Sequence, residues 1–229
     1  DVCIVGNLPT IHLAQPLPNA IEHRIGELAD DWVAQPERHA EDLLKEAGLV
    51  PSAEFPLDLI LAYEATRRRR VAAAIHLAEH GFNVRIHGDT HWKPLLAGTA
   101  AEACWHGWVD SGLQQSAAFR AAAVSLNVGS FAAPDMLNMR AFDIPAAGGV
   151  LISDDEPALH DAFDVGVEAL AFQKIEELPA IVSGILADPE RRASISAAGR
   201  SRVERDHSWN AWWSWAEARL RERFSERQK

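Results

Sequence analysis

Short apolar runs rich in β-branched residues punctuate this chain, and segments with helical spacing separate them. The runs are Val2-Cys3-Ile4-Val5, 83–87 (NVRIH), 123–128 (AVSLNV), Val150-Leu151-Ile152 and 168–172 (EALAF). Trp108-Val109 is a further short candidate strand. Helices are predicted over 19–34, 36–48, 57–80, 112–122, about 138–147, 156–163, 174–187, 189–206 and 208–226, with a loop and a short helix over 90–107. Gly48 and Gly81 stop two of them, Pro189 opens another, and Ser208 is placed to cap the last. Strands alternating with helices of this length pair in parallel, because each crossover returns the chain to the same end of the sheet. The pattern predicts an α/β fold, a Rossmann-like doubly wound parallel sheet with a helical insertion at about 19–48 and C-terminal helices. Ligands of such sheets bind at the carboxyl ends of the strands. The loops there are Gly6-Asn7, His87–Trp92, Val128–Asn138 and Ser153–Glu156.

Composition narrows the function classes. The chain has 229 residues and a net charge of −11, which disfavours broad nucleic-acid binding. Residues 1–57 carry net −7 and residues 188–229 net +3, so a basic tail follows an acidic body and could dock a partner or form a solvated face. No apolar run approaches the roughly 18–20 residues of a membrane span, and no secretory leader is visible. Two cysteines cannot build a disulfide framework, so a cytoplasmic setting is expected. The chain opens on a strand without Met, which suggests a fragment or a trimmed start.

The densest chemical information lies in residues 135–154, DMLNMRAFDIPAAGGVLISD. Asn138 and Arg140 fall at the start of a helix, where unpaired N–H groups and the helix dipole favour an anion. Arg140 adds a forked cation matched to phosphate oxygens. Asp143, three residues on, shares its face and can accept two bonds from a ribose diol; the alternative is a plain i,i+3 ion pair with Arg140. Gly148-Gly149 allow a tight reversal into the next strand.

Other groups admit two readings each. His87, Asp89 and His91 could ligate a metal, form a Gly-Asp turn, or contact nucleotide. Trp92 could stack on a base or pack beneath its loop. Cys104 next to Trp105-His106 is a thiol candidate, or simply buried. Arg67–Arg70 are four successive cations that point around a helix, so at most one or two can meet a single ligand. Trp209, Trp212 and Trp213, with Trp215 nearby, form an apolar stripe that either packs in the core or docks on a partner domain.

Arg140-Ala-Phe-Asp143-Ile-Pro-Ala-Ala-Gly148-Gly149 resembles the R-x-F-E-x-P-A-x-G-G motif of CgeB-like glycosyltransferases, which belong to the group 1 (family 4-like) GT-B enzymes. The resemblance continues through Val5-Gly6-Asn7, through Arg70 and Gly81 to Gly88-Asp89 and Trp92, and through Ser125-Leu126-Asn127-Val128. Asp164 to Glu168, Leu186 to Arg192 and His207-Ser208-Trp209 extend it to nearly the whole chain outside the acidic helices. It implies the C-terminal, donor-binding half of a two-domain enzyme that moves a hexosyl group from a nucleotide-diphosphate sugar, a UDP-sugar first among candidates, to an unknown acceptor. It implies no metal or other cofactor, and retention of anomeric configuration. Residues 1–207 would be the nucleotide-sugar-binding domain, and 208–229 a Trp-rich helix packing on it or on an N-terminal domain outside this chain. By the same resemblance Gly6, Asn7, Gly88, Asp89, Trp92, Asn127, Asn138, Arg140, Asp143, Gly148 and Gly149 bind substrate. Arg140 and Asp135 take the catalytic positions, and Arg67–Arg70 assist at the diphosphate. Both acids are Asp where the superfamily has Glu. A non-catalytic nucleotide- or sugar-binding module, or a protein-interaction domain, is the rival reading.

Overall fold

A computed structural model describes residues 1–226 of the protein. In chain order the elements are β1 (Val2–Val5), α1 (Asn19–Ala34), α2 (Ala40–Glu46), α3 (Leu57–Glu79), β2 (Val84–His87) and α4 (Trp92–Leu96). Then come α5 (Leu113–Ala121), β3 (Val124–Asn127), α6 (Arg140–Ala146), β4 (Leu151–Asp154), α7 (Pro157–Ala162) and β5 (Leu170–Phe172). The chain closes with α8 (Leu178–Ala187), α9 (Pro189–Arg202), a π turn at Val203–His207 and α10 (Trp209–Glu226). Trp108-Val109 is not a strand. The neighbouring Trp105 makes one parallel bridge to Ile86 instead, and His106 N donates to Ile86 O at 2.8 Å, so this segment covers the outer edge of β2.

The five strands form a parallel sheet in the order β2-β1-β3-β4-β5. The predicted doubly wound α/β architecture is what the chain adopts. Alternate residues along each strand serve opposite faces. Val2, Ile4, Ile86, Leu126, Ile152 and Phe172 pack on α3 and α8. Cys3, Val5 and Leu151 pack on Phe119 of α5 and on Ala141 and Ile144 of α6. β1, in the middle of the sheet and buried at all four positions, is apolar throughout, while β3 and β4 carry buried Ser125, Asn127, Ser153 and Asp154 toward their carboxyl ends and edge strand β2 exposes Arg85. A third cluster lies apart: Ile25, Leu28 and Trp32 of α1 and Leu43 and Leu44 of α2 close on Leu57, Leu61 and Ala65 of α3. The predicted insertion therefore has its own apolar core, built on the first half of α3.

The strand order reverses between β1 and β3. The connection from β1 leads to β2 on one side, while β3 pairs with β1 on the other, so the loops leaving β1 and β3 part and open a crevice at the carboxyl ends of the two strands. That is the position where sheets of this kind bind ligands.

Candidate functional site

The crevice is lined by Ile4, Val5 and Gly6 of β1 and its loop, Leu126 and Val128 of β3 and its loop, Trp92, and two cations, Arg70 and Arg140. Arg70 comes from α3. Its Nη1 donates to Asn7 O at 2.8 Å, and its Nη2 to Val128 O at 3.1 Å and Gly129 O at 3.3 Å. One guanidinium thus ties the β1 and β3 loops together through their carbonyls. Arg140 opens α6 and reaches back under β1. Its Nε donates to Asn127 Oδ1 at 3.2 Å, and Asn127 is itself held by a bond from its Nδ2 to Ser153 Oγ at 3.1 Å.

Among the described residues neither cation has a carboxylate partner in an ion pair; both spend their donors on neutral oxygens. Burial, followed by repulsion from Arg140, lowers the pKa of Arg70 to about 9, while Asp154 acts in the opposite sense. Burial likewise lowers that of Arg140, with Asp143 opposing. Two partly buried guanidinium groups that repel one another across a crevice carry a penalty that a bound anion would relieve.

Glycines give this crevice its shape. A Cβ at Gly6 would strike the Arg140 guanidinium. A Cβ at Gly88 would strike the backbone of Gly6 and lie 2.8 Å from Trp92 Nε1. Absence of side chains at both positions lets the β1 and β2 loops touch and lets Arg140 pass beneath them.

The structure brings several predicted residues together in supporting positions. Asn7 Oδ1 accepts from Asp89 N at 3.0 Å, and Asp89 Oδ2 accepts from Leu8 N at 3.0 Å, so these two side chains lock the β1 and β2 loops. Asp89 Oδ1 also accepts from His91 N at 2.9 Å, which makes this stretch the Gly-Asp turn of the alternatives above. Trp92 is 0% exposed and its Nε1 donates to Gly6 O at 2.9 Å. It supports the loop from beneath and has no face free for a base. Cys104 is half-buried, and burial raises its thiol pKa, which leaves a protonated and weakly nucleophilic group. Among the described residues no group of three or more His, Cys, Asp or Glu could hold a metal ion.

The helix-terminus expectation needs correction. The first N–H groups of α6 are satisfied within the chain. Arg140 N donates to Asn138 Oδ1 at 3.0 Å, Ala141 N to Asn138 O, and Phe142 N and Asp143 N to Met139 O. The positive charge that faces the crevice is that of Arg70 and Arg140. Nor do Arg140 and Asp143 form an ion pair. Asp143 accepts instead from Gln115 Nε2 of α5 at 3.1 Å, and burial raises its pKa against the opposing pull of Gln115 and Arg140. Gly148 and Gly149 sit at the amino end of β4, on the far side of the sheet from the crevice. Gly148 adopts φ +82° to end α6, and a Cβ on Gly149 would press Ile144 at 3.1 Å. Gly148 thus serves the turn and Gly149 the close packing of β4's approach on α6. Asp135 is exposed in the loop between β3 and α6.

The four arginines of α3 part company, as their spacing requires. Arg67 pairs with Glu64, and Arg68 with Glu64 at 2.8 Å and Asp30 of α1 at 2.6 Å. Arg69 is buried against Asp154 at 2.7 Å, with its guanidinium over the Phe172 ring. Only Arg70 enters the crevice. The residue-level reading missed it as an individual, because four like neighbours carry no phase. Sequence reasoning placed Glu156 in a ligand-side loop, Ser153–Glu156, without singling it out.

Residues 67–217 match the model of the family described as "Glycosyl transferase-like". No curated protein sequence matches the chain. Among solved structures, the C-terminal domain of a group 1 glycosyl transferase family protein (LpcC) from Francisella tularensis aligns at 11% identity. The alignment covers 61% of this chain and 78% of that one, with a TM-score of 0.47. A mutant of TarM from S. aureus, solved with fondaparinux, α-GlcNAc-glycerol and UDP, aligns at 8% identity with a TM-score of 0.51. It covers 65% of this chain but only 31% of TarM, so the present chain spans about a third of that protein and shares its fold.

Proposed function

The chain belongs to the glycosyl transferase-like family, and from that premise we propose that it is the donor-binding part of a CgeB-like GT-B glycosyltransferase. It binds a nucleotide-diphosphate sugar, with UDP-sugars first to be tried. The observation that carries this reading is the pair of guanidinium groups, Arg70 and Arg140, facing the β1/β3 crevice without carboxylate partners. A diphosphate held there would place its ribose toward Asp143, which Gln115 already orients.

In the transfer step the bond from the anomeric carbon to the diphosphate oxygen breaks, and the electron pair goes to that oxygen. Fixed cations placed where negative charge develops stabilise such a step more than they stabilise the ground state. The new bond forms to a hydroxyl oxygen of the acceptor, whose proton leaves to the departing phosphate or to solvent. Retention of configuration follows from the resemblance described above. In this reading Asn127 is a positioning residue that aims Arg140, and Asn7, Asp89 and Trp92 hold the loops. We further assign residues 1–207 to the donor domain and α10 to docking on an N-terminal domain. The support is the exposure of Trp209 (75%), Trp213 (62%) and Trp215 (60%), which the sheet domain leaves uncovered.

Calorimetric titration with UDP, GDP, ADP and TDP tests the proposal. One nucleotide should bind saturably, with affinity falling at least tenfold in Arg140→Ala and several-fold in Asp143→Ala. Binding that survives Arg140→Ala unchanged would move the phosphate elsewhere. No binding by any of the four, in this chain or in a longer one carrying the upstream domain, would overturn the donor reading.

A further inference from the structure

Beside the basic crevice, across the loop that follows β3, lies a group of carboxyls. Gly129, in the loop after β3, marks the border between them. Its carbonyl accepts from Arg70 Nη2 at 3.3 Å, and its N–H donates to Asp154 Oδ2 at 2.6 Å. Asp154 is buried and paired with Arg69. Against the same residue lies a second carboxyl, that of Glu156, whose Oε1 would be 3.1 Å from a Cβ built on Gly129. Glu156 stands at the carboxyl end of β4, immediately before α7. It is half-buried, and among the described residues its carboxyl takes part in no hydrogen bond and no ion pair. An acid that is partly desolvated and left without a donor is costly unless something outside the chain supplies one.

We propose that Glu156 recognises the sugar of the donor, its carboxyl taking a sugar hydroxyl beside the diphosphate held by Arg70 and Arg140. This rests on the donor-binding reading above. The chemistry follows from the order of groups. Gly129 touches Arg70 through its carbonyl and the two carboxyls through its N–H side, so a diphosphate at the guanidinium groups with its ribose toward Asp143 would direct its distal substituent past Gly129 toward Glu156. Polyols are the neutral ligands that fill such a place, because each hydroxyl donates to a carboxylate without bringing charge into a crowded acidic pocket.

The groups facing Glu156 are Asp154 of β4, Arg69 of α3 and Asp135 of the β3–α6 loop. Burial comes first and the two acids add to it, raising the Glu156 pKa to about 7 against the pull of Arg69. The carboxyl therefore changes charge close to neutrality. A carboxylate accepts from hydroxyls more strongly than the acid does, so its contribution grows as pH rises through that value.

The test separates sugar from nucleotide. UDP, UDP-glucose, UDP-galactose and UDP-N-acetylglucosamine are titrated into the wild-type chain, Glu156→Ala and Glu156→Gln at pH 6 and pH 8, with melting curves as the folding control. The expected result is equal UDP affinity in all three proteins, and at least one sugar nucleotide that binds the wild type more tightly than UDP does. That gain should fall five- to tenfold in Glu156→Ala at pH 8. It should be larger at pH 8 than at pH 6 in the wild type and insensitive to pH in Glu156→Gln. A gain that survives Glu156→Ala, an equal loss for UDP and UDP-sugars, or no gain from any sugar overturns the assignment while leaving the nucleotide site intact. Where GDP, ADP or TDP is the nucleotide that binds, the same series is run with its sugars; failure of all four to bind, in this chain and in the longer one, overturns the donor reading, and this assignment with it.

Discussion

Gly6 carries more of the crevice than its size suggests, since the space of its missing side chain is occupied by the Arg140 guanidinium. Gly6→Ala should displace the Arg140 guanidinium and also strain the backbone, since Gly6 holds φ +149°, which L side chains rarely adopt. A cost of about 2–3 kcal/mol in urea unfolding is expected, together with a loss of nucleotide affinity close to that of Arg140→Ala. A full-affinity Gly6→Ala would show that Arg140 works from elsewhere. Glu156 makes a separate thermodynamic prediction. Its pKa is raised to about 7 in the fold, above the ordinary 4.5. Between those values the unfolded chain releases a proton that the folded chain retains, so stability falls as pH rises through the window and is level above it. Glu156→Gln removes the loss. It should match the wild type near pH 4 and exceed it by about 1–2 kcal/mol at pH 8, the full linkage value being trimmed by partial exposure. At this scale the sequence was legible for Arg140, whose place before Asp143 and Gly148-Gly149 is distinctive. It was not for Glu156, because a lone acid at a strand end carries no local signal until the opposing loop is in place.

Helices and strands were legible to within about four residues, the Trp108-Val109 strand excepted, because buried parallel strands and helices stopped by Gly48 and Gly81 leave strong marks. What the pattern could not show was which helix lies against which. Gly199 is an instance. In the interior of α9 it reads as a weak point worth about 1 kcal/mol against Ala, yet a Cβ there would strike Glu168 O and meet Pro145 Cβ at 3.3 Å. It is the contact that lets α9 close on α6. Gly199→Ala should therefore destabilise by about 2–3 kcal/mol, since backbone must move. Gly184 in α8 faces open space, and Gly184→Ala should stabilise by about 0.5–1 kcal/mol. Paired thermal melts would check the two, and equal effects of one sign would defeat the argument. The buried Arg69–Asp154 pair links α3 to β4. Arg69→Ala leaves an acid buried beside Glu156 and should cost about 3–5 kcal/mol.

For the molecule as a whole, the sheet domain and its insertion are one body, while α10 extends from the π turn with its tryptophans uncovered. Ending the chain at Ser208 should shift the melting midpoint by no more than about 2 °C, because little buried apolar surface is lost. A drop of 10 °C would mean that α10 is part of the core. The α3 helix is the opposite case. It supports the insertion with one half and the sheet with the other, and its four arginines reach its own Glu64, the α1 acid Asp30, the β4 acid Asp154 and the crevice carbonyls in turn. Each residue of an α-helix turns the face by about 100°. Loss of a single codon ahead of Arg67 would leave the run of arginines intact as a string and hand every one of them its neighbour's address. Relatives of this protein should therefore vary in the letters of α3 far more readily than in its length, and insertions should collect in the loops that flank it.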